Sequence, residues 1–298
     1  MTEKLFTPPA FVRLATARDG ATIAYARVNA GARGATPVVL VQGITGVKED
    51  WGHLVGALAF SGGREREVVL MDNRGMGESS APARAYSMPE FADDVIAVLD
   101  ACGHAQVDVF GISMGGMIAQ HLAVLHPTRV RRVVLGCTSA GPAPGMAFDK
   151  VVGRAFVEAL TKRPEPGTPK RALVEAQLQM TFSPEFIQAN PIRFARIVDN
   201  SMVYRRSMRG LNGQLGAFPT IQPNTALQAI KCPVLVVHGD KDEVIPFSEG
   251  ERLAKLVPTA RPLLRLRNAG HMFWLYDDAL EVTRRGVLAF LDAEEAKL

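Results

Sequence analysis

The sequence predicts an α/β fold built on a mostly parallel central sheet flanked by helices. Short, wholly apolar runs recur along the chain, stretches of helical length separate them, and the alternation lapses once, between residues 141 and 225, before it resumes. Strand–helix alternation is the pattern of a sheet covered by helices on both faces. Strands buried on both faces read as continuous apolar runs rather than as alternating ones.

Taken in order, residues 11–29 read as two strands around the turn Arg18-Asp19-Gly20. Val38-Val39-Leu40-Val41 is the first wholly apolar run and ends in Gln42-Gly43; Val68–Met71 is the second and ends in Asp72. Ser87-Met88-Pro89-Glu90 has the S-x-x-E spacing of a helix start, followed by Phe91, Val95, Ile96 and Leu99 at helical intervals. Val107–Phe110 and Val133–Leu135 are further strands, with a helix over Met117–Leu125 between them. Residues 141–225 hold no comparable run and nine prolines, among them Pro142, Pro144, Pro164, Pro191 and Pro223, with helix-like stretches between. The sheet pattern returns at Val234–Val237 and closes with Pro262–Leu266 and a C-terminal helix. The expected organisation is therefore a core of residues 1–140 and 226–298, with a helical cap, or lid, over 141–225.

Bulk properties narrow the function classes. With 34 Lys and Arg against 30 Asp and Glu, the excess charge is small and its basic residues are scattered, so no nucleic-acid-binding stripe is expected. Cys102, Cys137 and Cys232 are odd in number, far apart and without a C-x-x-C, which argues against a disulfide framework, a zinc site or a redox motif. The segment Met1–Pro9 lacks an apolar stretch of signal-peptide type, and no run approaches the roughly 20 residues of a spanning helix. These features predict a cytoplasmic protein with no membrane partner.

Chemistry enters at Gly111-Ile112-Ser113-Met114-Gly115, a G-x-S-x-G between a strand and a helix. That context holds a serine hydroxyl exposed on a sharp turn. A serine hydroxyl is a weak nucleophile and needs a base. Of the six histidines, His271 is the candidate, because Asn268-Ala269-Gly270-His271 follows the last strand and can reach the carboxyl edge of the sheet. A carboxylate should fix its tautomer. His238-Gly239-Asp240-Lys241-Asp242 offers Asp240 and Asp242, with Glu243 a weaker third.

Together with Asp72-Asn73-Arg74-Gly75-Met76-Gly77-Glu78-Ser79, these segments resemble the α/β-hydrolase superfamily. The likeness is to the branch containing 3-oxoadipate enol-lactonases, aclacinomycin methylesterases and cofactor-free haloperoxidases. The resemblance covers nearly the whole chain outside residues 141–225. It implies a Ser113–His271–Asp242 triad, since the family's H-G-x-x-D pattern places the acid on Asp242. It also implies an oxyanion hole from the backbone N–H groups of Met114 and Ile44. The family usually has His-Gly-x where this chain has Gln42-Gly43-Ile44, and Gln42 is expected to hydrogen-bond within its own loop. Residues 72–79 are expected to form a shaped turn at the rim of the site.

The implied activity is hydrolysis of a carboxylic ester or lactone through an acyl-enzyme, with no cofactor and no metal. Carbon–carbon bond hydrolysis, perhydrolysis and a receptor role remain alternatives on the same residues. Trp51, Phe148, Phe156, Met180, Phe182, Phe186, Met202, Tyr204, Phe218, Phe273 and Trp274 are candidates for an apolar pocket or for the core of the cap. Arg205, Arg206 and Arg209 could meet an anionic substrate, although a solvated helix face is the expected reading.

Overall fold

A computed structural model describes residues 11–60, 63–142, 151–162, 165–221 and 224–294. Met1–Pro9, Pro144, Phe148, Pro164 and Pro223 lie outside the described residues. Eight strands form one sheet: β1 (Arg13–Thr16), β2 (Thr22–Val28), β3 (Val38–Val41), β4 (Val68–Met71), β5 (Val107–Ile112), β6 (Val130–Gly136), β7 (Val234–Gly239) and β8 (Leu264–Leu266). Their order is β1-β2-β4-β3-β5-β6-β7-β8, antiparallel at β1/β2 and β2/β4 and parallel from β4 onward.

Period-two alternation divides the apolar runs between two cores. In β3, Val39 and Val41 enter one core and Val38 and Leu40 the other; in β4, Val69 and Met71 oppose Val68 and Leu70. The first core is closed by α2 (Met88–Cys102) and α3 (Met114–Leu125), the second by α1 (His53–Ala59). Between β6 and β7 the described residues hold five α-helices and no strand: α4 (Arg154–Thr161), α5 (Lys170–Gln179), α6 (Pro184–Ala189), α7 (Pro191–Val203) and α8 (Met208–Leu215). Then α9 (Phe247–Leu256) packs on the first face and α10 (Asp277–Leu291) on the second. Among the described residues no helix is long and apolar enough to cross a membrane.

Several boundaries differ from the sequence reading. Strand β6 starts at Val130, taking in Arg131 and Arg132. Arg131 is held by the Asp108 carboxylate at 2.9 and 2.6 Å, and Arg132 donates to the Leu291 and Ala293 carbonyls, so both guanidinium groups are engaged at the sheet's end. Strand β8 begins at Leu264, two residues after Pro262. Helix α3 begins at Met114 rather than Met117, directly after the serine. Helix α2 starts as its spacing predicts. Ser87 accepts the Glu90 N–H at 3.3 Å, and its hydroxyl reaches the Glu90 carboxylate at 2.8 Å.

The chain leaves β3 toward β4 on one side and later returns as β5 on the other. This reversal opens a crevice at the carboxyl ends of β3 and β5, the usual ligand position in open α/β sheets. The loops that begin at Gln42 and Ser113 meet there.

Candidate active site

Ser113 is forced into place by its neighbours. It has φ 54° and ψ −125°, strained for a residue with a side chain, between the last residue of β5 and the first of α3. The turn is possible because Gly111 and Gly115 carry no Cβ. One added at Gly111 would lie 2.2 Å from the Gly115 carbonyl oxygen, and one at Gly115 would lie 2.1 Å from that of Val41. The turn is pinned by Ser113 N–H to the Gly136 carbonyl at 3.0 Å and by the Thr138 hydroxyl to the Ser113 carbonyl at 2.7 Å.

The loop after β3 lies against this serine: a Cβ on Gly43 would sit 3.3 Å from Ser113 Oγ. Asn73 Nδ2 holds the Gln42 carbonyl at 2.8 Å, and Gln214 Oε1 accepts the Thr45 N–H at 2.9 Å. Gln42 Oε1 accepts the Gly43 N–H at 3.3 Å, within its own loop, while its Nε2 has no partner among the described residues. Met114 occupies the first position of α3, where a backbone N–H has no intrahelical acceptor. Met114 and Ile44 both line the space beside Ser113.

The acid and the histidine meet across the ends of β7 and β8. Asp242 Oδ2 lies 2.8 Å from His271 Nδ1. A carboxylate only accepts, so Nδ1 carries the proton and Nε2 is left as the basic nitrogen. Asp242 Oδ1 accepts the Val244 and Ile245 N–H groups, each at 2.9 Å. His238 Nε2 stands 2.9 Å from the Ile245 carbonyl and 3.2 Å from Asp242 Oδ2. The carbonyl also only accepts, so His238 Nε2 bears a proton that it shares with Asp242. Burial alone would push the Asp242 carboxyl up; the charge and hydrogen bond of His271 and the hydrogen bond of His238 outweigh it and hold the group at about 2. Asp240 faces elsewhere, accepting the Asn268 N–H at 2.7 Å and pairing with Arg265 at 3.0 Å. Three other histidines are engaged away from the site: His104 with Glu67, His126 with Asp93 and His121 with the Met117 carbonyl.

Cys137, fully buried at φ 39°, lies within 4.8 Å of the nearest His271 and Asp242 ligand atoms. Burial, and then the nearby Asp242, push its thiol well above the ordinary range. A metal ion at these three residues would have to replace the Asp242–His271 hydrogen bond and remove the thiol proton.

Ser113 and His271 line one cavity of about 110 Å³, and Ser113 also lines a smaller apolar lobe of about 50 Å³. Of the aromatic candidates, Phe156 lines both lobes, Trp274 the larger and Phe218 the smaller. Trp51, Phe182, Phe186 and Phe273 belong to the core. Arg205 and Arg209 are exposed. Arg206 departs from the solvated-face expectation: it lies between α7 and α8, lines the larger lobe and is clamped by Asp50. Two features were missed in the sequence, the Asp50–Arg206 pair and the His238 contact. The four-residue spacing of His238 and Asp242 was the available signal for the second. Residues 72–79 line neither lobe. Asp72 ties their turn by accepting the Lys48 and Glu78 N–H groups at 2.8 and 3.0 Å.

Known proteins agree with this architecture. The chain is 29% identical over 255 residues to 2-hydroxymuconate semialdehyde hydrolase of Pseudomonas putida, covering 81% of this chain and 82% of that protein. It is 28% identical over 205 residues to 3-oxoadipate enol-lactonase 2 of Acinetobacter baylyi, covering 69% and 72%. Among solved structures, a hydrolase from Pseudomonas aeruginosa superposes with TM-score 0.78 at 28% identity, over 96% of this chain and all of the other. The signature of the alpha/beta hydrolase fold matches residues 36–278, so the chain belongs to the alpha/beta hydrolase fold family.

Proposed function

We propose that the protein is a serine hydrolase of carboxylic esters or lactones, with Ser113, His271 and Asp242 as its triad. The observation that carries this is the pairing of a buried, ionised Asp242 with His271, which lines the same cavity as the elbow serine. His271 Nε2 takes the proton as Ser113 Oγ bonds to the carbonyl carbon. The oxyanion so formed is received by the Met114 and Ile44 N–H groups, donors fixed before the reaction starts. Collapse expels the alcohol, which takes the proton from His271 and leaves the acyl-enzyme. Water then attacks, giving its proton to His271, and the acid departs as Ser113 regains that proton. Asp242 stays ionised and stabilises the imidazolium. Residues 141–225 serve as a cap over this site; Phe156, Leu160, Val174, Gln177 and Leu178 from this region form part of the cavity wall and support that reading.

The similarity to 2-hydroxymuconate semialdehyde hydrolase favours a second reading, carbon–carbon bond hydrolysis on the same residues. Turnover of p-nitrophenyl butyrate separates the cases. The ester reading expects activity that falls by about 10³-fold or more in Ser113→Ala. Equal activity in both proteins would remove the nucleophile assignment; absence of ester turnover in the wild type would favour the second reading or a receptor.

A further inference from the structure

The larger lobe ends on a cation that could be mistaken for an anion-binding group. Arg206 and Asp50 both line it. Arg206 Nη1 lies 2.9 Å from Asp50 Oδ2, and Nη2 lies 2.8 Å from Asp50 Oδ1, a two-point fork of the strong charge-assisted type. Nη1 also donates to the Thr45 carbonyl at 2.5 Å and Nε to the Ser201 carbonyl at 3.4 Å. Asp50 is fixed in turn, accepting the Val47 N–H at 2.9 Å, while its backbone carbonyl takes the Trp274 indole N–H, also at 2.9 Å.

The charges behind the pair lean the same way. Lys48 is buried and bound to Asp72, Glu49 and Glu78 at 2.9, 3.0 and 2.7 Å. The region therefore sets two cations, Arg206 and Lys48, against four carboxylates, of which only Glu78 is well exposed. Burial would lower the Arg206 guanidinium, yet Asp50, Glu49 and Asp72 hold it above its ordinary value. Among the described lining residues the remaining polar groups, apart from His271, are uncharged: Gln42, Thr45, Ser113, Gln177, Thr181 and Ser201.

We infer that this cavity selects uncharged substrates, esters or lactones whose arm in the larger lobe carries neutral hydrogen-bonding groups, and that Asp50 is the residue that excludes carboxylates. The inference rests on the serine-hydrolase reading and sharpens it. A carboxylate entering the lobe would find the guanidinium already neutralised and would lie against Asp50. It would lose its hydration without gaining an uncompensated cation, which is the expensive way to bury a charge.

Two serine-directed ligands test this: carboxybutylboronic acid and its neutral amide, carbamoylbutylboronic acid, with Kd measured by titration calorimetry. The wild type should bind the neutral compound at least about tenfold tighter, a difference within the range of one misplaced charge. Asp50→Asn should narrow that ratio at least about fivefold, because it releases the Arg206 charge. Arg206→Gln should leave the preference for the neutral compound intact or widen it, and serves if Asp50→Asn does not fold. Equal or tighter binding of the carboxylate compound by the wild type overturns the inference. So does a ratio unmoved in Asp50→Asn or an inverted ratio in Arg206→Gln. If neither compound binds the wild type, or if binding is unchanged in Ser113→Ala, the hydrolase reading itself fails, a result distinct from an altered preference.

Discussion

Replacing Asp242 by Asn changes one atom and should disable the site. The carboxylate accepts from four donors: His271 and His238 at Oδ2, Val244 and Ile245 N–H at Oδ1. An amide cannot match them in either orientation. With its NH₂ toward the histidines it faces two N–H donors and drives His271 to the tautomer protonated at Nε2, which cannot accept the Ser113 proton. With its NH₂ reversed it faces two backbone N–H groups. Each frustrated buried donor costs about 1–3 kcal/mol and either orientation leaves two, so Asp242→Asn should lose roughly 2–6 kcal/mol of stability. The wrong tautomer should lower kcat by about 10³- to 10⁴-fold.

The stability loss has a pH signature. Asp242 is held at about 2 in the folded protein against an ordinary 3.8. A depressed carboxyl stabilises the fold above its unfolded value, and that contribution is lost as pH falls from about 4 to about 2. The shift corresponds to about 2 kcal/mol. Urea unfolding at pH 5 and pH 2 should therefore show the wild type losing about 2 kcal/mol more than Asp242→Asn. Asp240→Asn is the control: it retains an acceptor for the Asn268 N–H and should stay within about 1 kcal/mol and threefold in kcat, the scale of a surface pair. A variant Asp242→Asn with kcat within tenfold of wild type, or a larger loss in Asp240→Asn, would refute the assignment of the acid.

Other perturbations separate steric from chemical roles. Gly115→Ala drives a methyl into the Val41 carbonyl and should cost about 3 kcal/mol or more, whereas Gly56→Ala, in α1 with open space around it, should be neutral or stabilising by up to about 1 kcal/mol; thermal melts read both. His238→Phe removes a donor from Asp242 and should reduce kcat by about 10- to 100-fold, with His238→Gln recovering part of it; equal losses in both would argue for a packing role alone. The three cysteines are kept protonated by burial, Cys102 and Cys232 at about 11 and Cys137 well above its ordinary range. Iodoacetamide at pH 7.5 should leave ester hydrolysis intact, and rapid inactivation would show a reactive thiol at the site.

The sheet was legible because its central strands are buried on both faces, so Val38–Val41 and Val68–Met71 are apolar throughout and give way to polar residues, themselves buried, only where the loops begin. Charge hid the start of β6: Arg131 and Arg132 precede the apolar run Val133–Leu135, and only the folded chain brings Asp108 and the end of α10 beside them. Paired glycines hid the first turn of α3. Gly115 and Gly116 look like helix breakers, yet the contact with Val41 leaves no room for a side chain at Gly115. At the candidate site, Ser113 announces itself because the elbow is a local device whose glycines and serine lie within five residues. The cavity wall did not, since Asp50 and Arg206 are 156 residues apart and meet only when the segment between α7 and α8 reaches the loop after β3. His238 stood in view four residues before Asp242, but the geometry of its Nε2 depends on the Ile245 carbonyl, which the sequence does not orient.

In the proposed reaction one hydroxyl, on residue 113, forms the covalent intermediate. Titration with a fluorophosphonate, followed by peptide mass spectrometry, tests it most directly. One adduct per chain is expected, on the Ser113 peptide, with ester hydrolysis falling in proportion and labelling strongly slowed in Asp242→Asn. An adduct on another residue, or full activity in protein labelled at Ser113, would contradict it.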